Sequence, residues 1–108
     1  MTWTVDSSGT TTPTVGTPST LATSTTNGTF VFEADLSALA NGEASRLAVS
    51  GKTLTGGTAN QMWQGTYTAP LVNDRVASPP IASDVSITIT MTQLNGSARA
   101  VPWKLLRI

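Results

Sequence analysis

Residues 84–107 constrain the fold more than any other stretch. Val85, Ile87, Ile89 and Met91 alternate strictly with Ser86, Thr88, Thr90 and Thr92. Apolar and polar residues at period two mark a strand with one face in a core and one face out of it. The β-branched side chains that fill this run are stiff at χ1 and suit a pleated sheet better than a helix. Asn95-Gly96 follows, a pair that tolerates positive φ, and after it Val101, Trp103 and Leu105 alternate again. The local pattern predicts a β-hairpin with its turn at Asn95-Gly96. Pro102 lies inside the second arm of that hairpin. Because proline has no N–H to give a partner, it predicts that this last strand is an edge or carries a bulge.

The same period-two reading finds further strands upstream. Phe30, Phe32 and Ala34 share a face after the turn signal Asn27-Gly28. Leu47 and Val49 face inward from the next strand, with Arg46 and Ser50 outward, a bulge or bend is expected at Gly51-Lys52, and Gly56-Gly57 makes a turn. Residues 61–68 place Trp63, Gly65 and Tyr67 on one face, where the glycine leaves room for a ring to cross the strand. Between the first two of these strands, Leu36, Leu39 and Ala40 sit at one-turn spacing, with Asp35 or Ser37 to cap the start and Asn41-Gly42 to end it. This segment is expected to be one helical turn or a structured loop that plugs one end of the core. Residues 69–83, with Pro70, Pro79 and Pro80, read as a long connection, because the double proline stops pairing.

Residues 1–28 differ in kind. Thr and Ser dominate, Gly and Pro punctuate, and the apolar residues are few: Trp3, Val5, Val15 and Leu21. So little apolar surface does not repay the entropy of ordering a free segment. The expectation is an extended N-terminal arm over 1–28, at ~3.3 Å per residue, that orders on a neighbouring molecule with Trp3 and Val5 as its anchor. The folded domain is then 29–108. Its fold class is all-β, a small antiparallel β-sandwich of about five to seven strands, the arm supplying one or two of them. The chain's 108 residues suffice for one such domain.

Chemistry is bounded mainly by missing residue types. The chain contains no histidine and no cysteine. Nucleophile–histidine pairs are therefore impossible within it, disulfides are excluded, and a zinc site loses its usual ligands. Glu33 and Asp35 share a strand face and are the one carboxylate pair at a spacing a glycosidase could use, but a solvated strand end has the same pattern. Asp74 and Asp84 fall short of the ligand set calcium needs. Gly56-Gly57-Thr58 lacks the lysine and spacing of a phosphate loop. No catalytic residue, cofactor or metal is expected.

Charged residues are only 11 % of the chain, and formal net charge is zero. A weakly charged, threonine-rich surface associates rather than repels. The first 43 residues carry Asp6, Glu33, Asp35 and Glu43 without a single base, whereas all six bases lie in residues 44–108. Such a split either mixes within the fold or sets acid against base between subunits. Arg99, Lys104 and Arg107 are too few and too divided between faces for a nucleic-acid site. No apolar run approaches the ~20 residues of a membrane span, and no basic, then apolar, leader opens the sequence. Trp63, Tyr67 and Trp103 fit either an aromatic platform for sugar or the core of a small sandwich.

Three segments carry a resemblance: 35–42 (Asp-Leu-Ser-Ala-Leu-Ala-Asn-Gly), Pro79-Pro80 leading to Asp84, and 96–104 (Gly-Ser-Ala-Arg-Ala-Val-Pro-Trp-Lys). Over 29–108 the chain resembles the small all-β virion accessory proteins of tailed bacteriophages, of the capsid decoration or cement type. The resemblance implies a non-enzymatic structural protein of the virion, assembled in the host cytoplasm. Its implied partners are the major capsid protein or another virion protein, together with further copies of itself, and neither nucleic acid nor membrane. The contact residues expected are Trp3 and Val5 on the arm, Pro79 and Pro80 in the loop, and Arg99 and Arg107 on the last strand. The alternative is an adaptor or a carbohydrate-binding fibre or adhesion module.

Overall fold

The computed structural model describes residues 2–108. Nine strands are present: β1 (Thr4–Thr11), β2 (Ser19–Ser24), β3 (Gly28–Asp35), β4 (Ala44–Lys52), β5 (Asn60–Thr68), β6 (Arg75–Ala77), β7 (Ile81–Ser83), β8 (Ser86–Gln93) and β9 (Val101–Arg107). They form two antiparallel sheets, with no helix among the described residues. Sheet A has the order β1-β9-β3-β6, with β7 also paired to β3, and sheet B has the order β2-β8-β4-β5. The fold is a β-sandwich.

The alternating runs supply its interior. From sheet A, Phe30, Phe32, Ala34, Val101 and Leu105 turn inward. Leu47, Val49, Ile87, Ile89 and Met91 meet them from sheet B. Each of these is at most 1 % exposed. Leu36 and Leu39 close one end, as expected, but through a tight turn in which the Leu39 N–H donates to the Leu36 carbonyl at 3.1 Å. Asp35 Oδ1 caps it by accepting from the Ser37 N–H at 3.0 Å.

The structure corrects four expectations. Residues 1–28 do not form a free arm among the residues described: β1 pairs with β9, β2 pairs with β8, and Pro13 between them is fully buried. The ordering entropy is met by backbone pairing to central strands, a term that apolar content does not report. Second, residues 84–107 are not a hairpin. β8 lies in sheet B and β9 in sheet A, so Asn95-Gly96 turns the chain from one sheet to the other. Third, β9 is central and not an edge, flanked by β1 and β3. Thr29 and Ile108 exchange backbone hydrogen bonds, so by alternation the even residues of β9 aim their N–H groups at β3. Pairing with β3 ends at Trp103 opposite Ala34, which leaves Pro102 one step past the last paired position, where no N–H is needed. Fourth, the connection at 69–83 contains β6 and β7, two three-residue strands on either side of Pro79-Pro80.

β5 bears out the reading of Gly65. A Cβ there would lie 2.9 Å from the Trp63 ring and 3.0 Å from the Tyr67 hydroxyl, so the two side chains close over the glycine. Both pack against the core.

Candidate functional site

The outer face of sheet A holds Val5, one of the residues that the sequence marks for contact. Val5 stands opposite Leu106, and Leu106 stands opposite Val31, so three apolar side chains line up across β1, β9 and β3 on the face away from the core. Val5 is 52 % exposed, and Leu106 and Val31 are half-buried. Trp3, just before β1 and two residues from Val5, is 41 % exposed. Pro79 and Pro80, both exposed, lie in the link between β6 and β7, beside β3. Exposed large apolar residues set in a row carry more meaning than ones scattered singly.

Next to this row the face is charged. Glu33 accepts from Arg75, and Lys104 Nζ lies 3.7 Å from the same carboxylate oxygen. Ser8, Asp35, Pro102 and Trp103 complete a shallow concavity of about 510 Å³ around this cluster. Glu33 is thus committed to two cations and Asp35 to its turn. Neither stands free in a cleft as a hydrolytic pair requires.

Arg99 and Arg107 sit elsewhere. Arg99 grips Glu43 with both arms of its guanidinium, Nε to Oε1 at 2.9 Å and Nη2 to Oε2 at 3.1 Å. The Ala40 and Ser97 N–H groups donate to the same carboxylate at 2.8 and 2.9 Å. Arg107 Nε reaches Asp6 at 3.3 Å. Both arginines therefore serve the fold. The ion pairs among the described residues all join an acid from the first 43 residues to a base from the remainder, which resolves the charge split within one chain.

The Arg99 guanidinium, followed by the Ala40 and Ser97 amides, holds the Glu43 carboxyl down to about 2 from an ordinary 4.5. A carboxyl depressed on folding adds stability above its unfolded value, and that stability is lost as pH falls toward the folded one. The melting temperature should therefore drop as pH falls from about 4.5 to about 2. Asp35, also lowered, chiefly by the Ser37 amide, contributes to the same acid limb. Glu43→Gln should flatten much of that drop while lowering the plateau near neutrality. Thermal melts of both proteins from pH 7 to pH 2 check this, and an unchanged acid slope in the variant would refute it.

The aromatic residues do not form an open platform. Trp63, Tyr67 and Trp103 are each half-buried and pack against the core, and Trp103 Nε1 donates to Thr11 Oγ1 at 3.1 Å. Among the described residues no cluster of His, Cys, Asp and Glu is placed to hold a metal ion, and no helix is long and apolar enough to cross a membrane. No protein-family model matches the chain, and neither the curated proteins nor the solved structures include a match.

Proposed function

We propose that this chain is a non-enzymatic structural protein of a bacteriophage particle that docks on other virion proteins through the outer face of sheet A. The favoured place is the capsid surface, where it bridges major capsid subunits as a decoration or cement protein. The observation that supports docking is the row Val5–Leu106–Val31, with the exposed Trp3 two residues before Val5 and the charged Glu33–Arg75–Lys104 cluster at its border. An apolar strip with a polar margin is the anatomy of a protein-binding surface. Bridging works because shell expansion or loss of DNA must then break interfaces that the bare shell lacks.

The test is co-sedimentation of the purified protein with isolated shells and, separately, isolated tails. Trp3→Ala with Val5→Asp replaces two exposed side chains, so the fold should persist while binding falls by about a hundredfold or more, the scale of two truncated interface anchors. Full binding by that double variant would remove the proposed surface. Absence of wild-type binding to shells and tails alike would end the virion reading.

A further inference from the structure

The sheet edges in this sandwich differ in how long a run they leave open to pairing with another chain, and β5 leaves the longest. β6 and β7 are three residues long, with Arg75 and the Pro79-Pro80 link beside them. β1 has a bulge between Val5 and Ser7 and the charge of Asp6. β2 has six residues with a bulge at Leu21. Short strands, bulges, prolines and charges are the recognised protections of an open edge. β5 has nine residues, no charge and no proline, and after its bulge at Met62 runs regularly from Trp63 to Thr68.

The hydrogen-bond phase fixes which groups this edge offers. The Ala69 N–H donates to the Glu43 carbonyl, and the Leu94 N–H to the Ala44 carbonyl. Odd residues of β4 therefore bond to β5 and even ones to β8, so Trp63, Gly65 and Tyr67 spend their backbone groups on β4. The N–H and C=O groups of Gln64, Thr66 and Thr68 point out of the sheet edge, and their side chains are exposed.

We infer that β5 pairs antiparallel with β5 of a second copy of this chain, joining two B sheets across a two-fold axis. The occupant is a second copy because the strand matches itself. With Thr66 opposite its own counterpart, Gln64 faces Thr68, the outward groups meet as about six backbone hydrogen bonds, and no charge meets a like charge. An isologous contact of this kind closes after two subunits. Both A-sheet outer faces stay open in such a dimer. Its use in spanning neighbouring shell subunits rests on the proposed function, but the pairing itself is measured on the isolated protein.

Sedimentation equilibrium from about 10 μM to about 1 mM brackets a contact this small. Wild type should show a monomer–dimer equilibrium, with amide exchange at Gln64, Thr66 and Thr68 slowing as concentration rises. Thr66→Lys puts two lysines face to face on the axis, and Gln64→Lys with Thr68→Lys does so on either side of it. Each should weaken dimerisation by about tenfold or more, with a cooperative melt retained. Thr20→Lys on the β2 edge should leave it unchanged. A monomeric wild type throughout, undiminished association in both β5 variants, or dissociation by Thr20→Lys overturns the inference.

Discussion

A chain lacking residues 2–26 is expected to lose cooperative unfolding and to aggregate. The deletion removes β1 and β2, which flank the central strands of the two sheets. With β1 go the Thr11 partner of the Trp103 indole and the Asp6 partner of Arg107. With β2 go Leu21 and Ala22, which pack on the core. The two ladders together hold about ten backbone hydrogen bonds, each worth ~0.5–1.5 kcal/mol net, which matches the ~5–15 kcal/mol by which a whole domain is stable. The remnant also exposes β8 and β9 as long edges with one apolar face each, the kind that recruits other chains. Circular dichroism melts and dye binding to exposed apolar surface decide the matter. A truncated chain that melts sharply with a native near-ultraviolet spectrum would show that residues 2–26 are dispensable to the fold.

Gly96→Ala should be the most damaging single-methyl change. Gly96 has φ +77, where any side chain is strained, and its Cβ would run into the Glu43 carboxylate. The backbone conformation alone costs about 1–2 kcal/mol. The collision adds to this by driving Glu43 off the Arg99 and Ser97 donors that tie the bend between β8 and β9 to the start of β4. Since ~1 kcal/mol moves the midpoint of a domain this size by about 4–8 °C, a fall of about 10 °C or more is expected. Gly42→Ala provides the comparison, because Gly42 has φ +87 with no atom within 4 Å of a Cβ. It should incur the backbone cost alone. Equal losses in the two variants would show that the Glu43 contact carries no weight.

The two predictions touch the places where sequence patterns and structure part. Inward faces were legible: Phe30, Phe32, Leu47, Val49, Ile87 and Ile89 follow from alternation, because one face of every central strand must be dry. Leu36 and Leu39 were legible from their spacing and the capping aspartate. Partnership was not. Asn95-Gly96 has the composition of a hairpin turn, but what directs the chain across the sandwich is Gln93, fully buried. It donates to the Asn95 and Ser97 carbonyls and accepts the Arg99 N–H. Arg99 and Arg107 looked like free surface because their acids lie 56 and 101 residues away. Trp3 and Val5 were found as exposed apolar residues, but Leu106 and Val31 joined them only through register, which no local pattern encodes.

The placement of β9 bears on how the chain is made. Synthesis proceeds from the N-terminus at about 5–20 residues per second, so β1 and β3 emerge well before residues 101–107, the strand that both of them require. Sheet A cannot be completed until residues 101–107 have been translated. Such distant pairings also place the final search among the slower ones for small domains. A chain that stops before residue 101 leaves β1 and β3 with no common partner, material for proteolysis rather than a smaller working protein.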